Sequence, residues 1–313
     1  MKKNLLTFGK VLVTIGLVYW LIERVDWVGV RHELSEVSYT LLFLYVVFQL
    51  TGNIISARKW QIIASYKELH FTLKEGFFTY LTGAFINNFL PSTIGGDAYR
   101  GLWLAKRSGA RAAALSTVVF DRFIGLWTTA LLALIFCFVL WSHLLTSLPL
   151  LITLLALVGF LVVDLVITYL YCQSWFQGYV ARIPFFKLRR FLEEIIFYTK
   201  KHVWLRTSLW SSLFVFVGLG LSNYTLFHAL GSDIPFLSFF SAILLVAIVS
   251  NIPISINNIG IKEWAYVTFF GLIGVSVETA VTAALLSRFI QMILSFIALP
   301  QYLASKNLGD KEE

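Results

Sequence analysis

Charge is scarce in this chain. Asp, Glu, Lys and Arg make up 13% of its 313 residues, about half the usual ~25% of a soluble domain. Hydrophobic side chains make up 58%. A water-soluble fold is excluded, and the class is a polytopic membrane protein. Cysteine is almost absent. Cys137 and Cys172 are the only two, and neither stands at a metal-ligand spacing from a histidine or another cysteine. No metal site and no cofactor are expected. There is no nucleophile motif and no large loop to hold a soluble cosubstrate, which leans against an enzyme. The first apolar run lacks a small-residue cleavage site. Glu23-Arg24 follow it instead, so it reads as a retained helix and not as a cleaved signal.

Aromatic residues are abundant: 28 Phe, 13 Tyr and 10 Trp suit a lipid-facing surface with interfacial belts. The net charge of +8 lies in a few connecting segments. It therefore follows membrane topology, and no nucleic-acid partner is expected. The expected fold is all-α, one transmembrane domain over 1–313. Six stretches approach or exceed the ~20 residues needed to cross a bilayer: 5–22, 39–57, 113–141, 149–171, 207–230 and 277–300. Two shorter apolar segments, 76–90 and 236–250, each run into a proline-containing motif.

The distribution of Lys and Arg orders these segments. With the N-terminus inside, the 58–75 loop (Arg58, Lys59, Lys67, Lys74) and the 172–206 segment are cytoplasmic, and the 142–148 loop, without Lys or Arg, is outside. The cluster Arg100, Lys106, Arg107 and Arg111 stays inside only if 76–90 dips in and 96–107 returns. Both short segments then read as re-entrant hairpins entering from opposite sides, the mark of inverted repeats. The first hairpin and its helix cover about 76–141, and the second repeat covers about 236–300. Both termini are expected in the cytoplasm, at a bacterial-type inner membrane. Between the repeats, 182–204 carries Leu188, Phe191, Leu192, Ile195 and Ile196 at helical spacing among basic residues. It reads as an amphipathic helix on the inner leaflet, attracted to anionic lipid.

Both hairpins carry one arrangement. Asn88-Phe89-Leu90-Pro91 leads to Gly95-Gly96-Asp97, and Arg122 follows Asp97 by 25 residues. Asn251-Ile252-Pro253 leads to Gly260 and Glu263, and Arg288 follows Glu263 by 25. Pro91, Gly95, Gly96, Pro253 and Gly260 shape hairpin backbone, and non-helical backbone at membrane depth needs polar partners. Asn87, Asn88, Ser92, Thr93, Asn257 and Asn258 are expected to supply them. Arg122 and Arg288 suit bidentate pairing with a phosphate; equally, they suit structural ion pairs with Asp97 and Glu263. Asn88 and Arg100 join the substrate-binding candidates, with Lys262 a weaker one. Asp121 and Asp164 are candidate ion-pair or proton-relay partners, Asp164 facing Arg122. Asn223 and His228 read as helix–helix hydrogen bonds.

Asn88 to Arg100, Ser116 to Arg122, and Pro253 to Glu263 followed by Arg288 resemble the membrane region of the lysylphosphatidylglycerol synthases, a flippase-like integral membrane family. Asp97 stands where that family generally has Glu, and Asn257-Asn258 where it has a glycine-rich turn. The resemblance implies a domain that moves a phospholipid or lipid-linked intermediate between leaflets. It also implies that the soluble aminoacyl-transferase domain of the full-length synthases is missing here. Two other functions stay open: a membrane enzyme acting on a lipid headgroup or polyprenyl phosphate, and a non-catalytic partner of a separately encoded transferase.

Overall fold

The computed structural model describes residues 2–90, 94–171, 189, 197–198, 203–252 and 254–303. All regular structure among them is helical. Helix α1 (Lys2–Arg24) leads to a short α2 (Trp27–Ser35), which falls between the first two expected crossings. Asp26 caps α2 by accepting from the Val28 N–H at 3.0 Å. Then follow α3 (Tyr39–Ser65), α4 (Leu73–Phe89), α5 (Ile94–Ser108), α6 (Arg111–Phe136) and α7 (Leu148–Tyr171). After the sparsely described middle come α8 (Val203–Phe214), a π-helical stretch (Val215–Leu221), α9 (Ser222–Ala229), α10 (Phe236–Ser250), α11 (Ile261–Gly271) and α12 (Val277–Ser295).

Among the described residues, five helical stretches are long and apolar enough to cross a membrane: Tyr39–Ser65, Arg111–His143, Leu148–Val166, Val203–Ala229 and Val277–Leu303. They match five of the six expected crossings. The sixth, 5–22, lies in α1, whose 23 residues span about 35 Å at 1.5 Å per residue. One boundary needs correction. The crossing expected over 39–57 continues to Ser65, so Lys59 is a helical residue and not part of a cytoplasmic loop. The reason is apolar continuity: Trp60, Ile62, Ile63 and Ala64 are all buried and carry the helix on. Most of the 182–204 segment, like Pro91, Ser92, Thr93 and Pro253, lies outside the described residues. Its Tyr198 stacks on Phe120 of α6, with centroids 4.1 Å apart.

Two pairs of short helices occupy the places of the two apolar segments. In the first, Glu75 of α4 pairs with Arg107 of α5, and Gly83 meets Gly96, so the helices run antiparallel. A Cβ on Gly96 would lie 2.2 Å from the Gly83 carbonyl oxygen; only glycine allows this approach. In the second pair, Phe239 of α10 packs on Phe270 of α11, with centroids 5.2 Å apart. Helix α10 is buried on nearly every face from Phe239 to Val246. An apolar helix buried all round belongs to the protein interior. Its 15 residues reach about 22 Å, short of the ~30 Å hydrocarbon layer. By contrast, α7 exposes Ile152, Leu155, Val162, Val163 and Leu165, as a lipid-facing outer helix does.

The base of the first pair is closed by polar contacts. Thr72 and Glu75 form a capping box, with Glu75 N–H to Thr72 Oγ1 at 3.2 Å and Thr72 N–H to Glu75 Oε2 at 2.7 Å. Partial burial pushes the Glu75 carboxyl up, but the Thr72 donors and the Arg107 guanidinium outweigh it and hold the group below its ordinary value. A carboxyl depressed in the folded state stabilises above its unfolded pKa and loses that contribution as pH falls through the folded value. Glu75→Ala is therefore expected to lower stability by about 1 kcal/mol at pH 7. That gap should narrow below about pH 4, as the wild-type carboxyl protonates. Thermal midpoints in mild detergent at pH 7 and below pH 4 check this; an equal gap at both would refute the charge-dependent part.

Candidate functional site

Helix α3, the first helix pair and α6 bring together five charged side chains. Asp121 lies at the centre, 3% exposed. Its Oδ1 meets Lys59 Nζ at 3.0 Å, and its Oδ2 accepts from Arg100 Nη2 at 2.8 Å. The Tyr80 hydroxyl also donates to Oδ2. Arg100, itself 3% exposed, reaches Asp97 Oδ1 at 3.3 Å and lies over the Tyr80 ring, 3.6 Å from its centroid. Arg122 holds Asp97 with two bonds, Nε to Oδ2 at 2.7 Å and Nη2 to Oδ1 at 3.1 Å. Its side chain is nevertheless 53% exposed, and Nη1 makes no hydrogen bond among the described residues. Lys59, Arg100 and Arg122 face Asp97 and Asp121, so the cluster holds one more cation than carboxylate.

The second pair repeats the spacing with different chemistry. Arg288 donates to Glu263 Oε1 from Nε at 3.2 Å and from Nη2 at 3.0 Å. It also donates to the carbonyls of Asn257 at 3.1 Å and Asn258 at 3.0 Å. Those two asparagines take positive φ, 47° and 58°, and Gly260 takes 84°. Asn reaches this left-handed region more readily than most residues, so the pair serves the turn through its backbone. Glu263 completes the turn by accepting from the Gly260 N–H at 2.7 Å. Lys262 differs from every other cation here. Its Nζ donates to the Ser287 hydroxyl at 2.9 Å, and no carboxylate lies within ion-pair distance among the described residues. This unit sets two basic side chains, Lys262 and Arg288, beside one carboxylate, Glu263.

The asparagines of the first turn act through their side chains. Asn87 Oδ1 accepts from the Gly96 N–H at 2.7 Å, and Asn88 Nδ2 donates to Ser295 Oγ of α12 at 2.8 Å. Asn88 thus ties the first pair to the last long helix. Gly95 lies against the Leu90 side chain. Asp164 does not pair with Arg122: it accepts from Trp127 Nε1 at 3.0 Å. The indole projects from α6 and takes the carboxylate instead. Asn223 makes the expected interhelical bond, accepting from the Tyr266 hydroxyl at 3.0 Å. His228 packs on Tyr224 within the same helix, and its Nδ1 has no partner among the described residues.

A cavity of about 430 Å³ lies between the two units, within the range of small-molecule pockets (about 300–1,000 Å³). Arg122 enters it from the first unit and Lys262 from the second. No carboxylate side chain is among its described lining residues. Arg122 also borders an apolar groove of about 360 Å³ between α5 and α6, walled by Ile94, Val118, Val119, Phe123 and Leu126. One guanidinium therefore lines both the cavity and the apolar groove. Among the described residues no group of His, Cys, Asp and Glu suits a metal ion.

The Lysylphosphatidylglycerol synthase TM region model matches residues 7–298. The chain belongs to this family. No curated protein and no solved structure matches it. Within this family member, the Asp97–Arg122 and Glu263–Arg288 pairs fall where the 25-residue spacing puts them. Lys59, Tyr80 and the cavity role of Lys262 escape a reading from spacing. Buried helical periodicity through Trp60–Ala64 is the signal for Lys59; none marks Tyr80 among its aromatic neighbours.

Proposed function

We propose that this protein moves a phosphate-bearing lipid, a phospholipid or lipid-linked intermediate, between membrane leaflets. The observation that carries the reading is the position of Arg122, shared by the polar cavity and the apolar groove. An amphiphile has the same two parts. Its headgroup phosphate would sit in the cavity between Arg122 Nη1 and Lys262, the two basic side chains that line it. Its acyl chain would stay in the groove or in the bilayer. Arg288 and Glu263 then serve to hold the second turn, because that guanidinium is already engaged by a carboxylate and two carbonyls.

In this reading α4–α5 and α10–α11 enter the membrane from opposite sides, as related halves of an inverted repeat, with the cavity at their interface. The termini face the cytoplasm of a bacterial-type inner membrane, in keeping with the Lys and Arg distribution. Leaflet exchange of acyl-labelled phospholipid in reconstituted vesicles tests the function. A hydrogen bond to a charged group contributes about 1.5–3 kcal/mol, so the Arg122→Gln, Lys262→Gln double variant should slow exchange about tenfold or more. Wild-type exchange rates in that variant, shown to be folded by its thermal midpoint, would sink the proposal.

A further inference from the structure

Arg100 stands beside the first motif in the chain, yet it reaches no open space. It lines neither the cavity nor the apolar groove. It is 3% exposed, with its guanidinium 4.6 Å from the Trp60 ring centroid and 3.6 Å from that of Tyr80. Its bonding is nevertheless incomplete. Nη2 donates to Asp121 at 2.8 Å, but Nη1 reaches Asp97 only at 3.3 Å, and Nε is buried with no hydrogen-bond partner among the described residues. Asp97 is in the opposite condition. Arg122 donates to it twice, at 2.7 Å and 3.1 Å, and its Oδ1 serves Arg122 Nη2 and Arg100 Nη1 together.

Two guanidiniums thus compete for one carboxylate, and they do so from unlike positions. Asp97 and Arg100 stand three residues apart in α5, on one face of the helix, so their pairing moves with α5 as a unit. Arg122 comes from α6, is 53% exposed and lines both the cavity and the groove. It is the partner able to turn away. Taking it from Asp97 would strand a carboxylate that is only 18% exposed, which is costly when no other cation is at hand. Arg100 is already in contact and has donors unused. We propose that Arg122 passes Asp97 to Arg100 when it takes an anion: the long Arg100–Asp97 contact closes, and Arg122 is released. Asp97 is then an internal competitor of the ligand, and Arg100 is a positioning residue that acts through Asp97. This rests on reading Arg122 as a group that binds the phosphate.

Native mass spectrometry of the detergent-purified protein, titrated with dioctanoyl phosphatidylmethanol as a plain phosphodiester probe, tests the handover. Asp97→Asn should bind the probe about tenfold tighter or more, the scale of one charge-assisted hydrogen bond. Arg100→Gln should bind it about tenfold weaker, since Asp97 then keeps Arg122 to itself. In the Asp97→Asn background, Arg100→Gln should change the affinity by less than about twofold, because no carboxylate is left to hand over. A general field from the two charges would add instead, so equal losses in both backgrounds overturn the proposal. Unchanged or weaker binding by Asp97→Asn overturns it as well. Thermal midpoints report folding. Where Arg100→Gln does not fold, Arg100→Lys takes its place, since an ammonium lacks the planar fork that bonds two carboxylates at once. Arg122→Gln separates this proposal from the reading beneath it. Wild-type affinity in Arg122→Gln removes the phosphate from Arg122 and ends both. Weakened binding there, with additive effects at Asp97 and Arg100, ends the handover alone.

Discussion

Asp121→Ala is expected to destabilise the protein by about 3–5 kcal/mol, the cost of removing one partner from a buried ion-pair network. Among the described residues, this carboxylate alone holds Lys59 and Arg100 together: it meets one at 3.0 Å and the other at 2.8 Å, with Tyr80 on the same oxygen as Arg100. Without it, Lys59 keeps the Ser211 hydroxyl at 3.4 Å and the backbone carbonyl of residue 121 at 3.3 Å, both long contacts to neutral oxygens. Arg100 keeps Asp97 at 3.3 Å, which Arg122 already holds twice. Lys59 would then have no carboxylate, and Arg100 only the one that Arg122 already occupies. Lys59→Met combined with Asp121→Ala should recover part of the loss, because it removes one of the stranded charges. A coupling of about 0.5–3 kcal/mol is the scale for side chains in contact. Denaturation of the four proteins in mild detergent, titrated with SDS, measures the cycle. An Asp121→Ala protein within about 1 kcal/mol of wild type would show that solvent reaches this cluster freely.

The parts of the fold that follow from chain continuity are legible in the sequence, and those that follow from packing are not. Long apolar runs mark α6, α7 and α12, and the proline- and glycine-containing sequences around Pro91–Gly96 and Pro253–Gly260 mark the short pairs. The 25-residue spacing places Arg122 on Asp97 and Arg288 on Glu263, because each short helix and the long one after it run back along each other over that length. Lys59 is misplaced by the charge pattern because a lysine after an apolar run is the ordinary sign of a helix reaching the interface. Only the burial of Trp60, Ile63 and Ala64 shows that the helix goes on. Lys262 is undervalued because a lysine beside a membrane-depth motif reads equally well as an ordinary interface cation. Adjacent residues do not face each other on a helix: Glu263 turns to Arg288, and Lys262 turns to Ser287 and the cavity. Asn257 and Asn258 are expected to act through their amides, yet it is their left-handed backbone that presents two carbonyls to Arg288.

Arg288→Ala is the second change with a large expected effect, also about 3–5 kcal/mol of stability. Glu263, 2% exposed, would lose both of its bonds from the guanidinium, and the carbonyls of Asn257 and Asn258 would lose their donor. Those carbonyls belong to residues held at positive φ, a conformation that persists only when its surroundings over-determine it. Arg288→Lys should recover only part of the loss, since an ammonium on a flexible stem does not match the planar fork that spans a carboxylate and two carbonyls. Glu263→Gln added to Arg288→Ala should be less harmful than Arg288→Ala alone, because the unpaired buried charge is then gone. The same proteins separate a clamp from a ligand-binding residue. A clamp predicts that Arg288→Lys, once folded, keeps wild-type leaflet exchange while its denaturation midpoint falls. If Arg288→Ala instead stays within about 1 kcal/mol of wild type and leaflet exchange is lost, the guanidinium must bind the moving lipid. The assignment of the phosphate to Arg122 and Lys262 would then have to include Arg288 as a third partner.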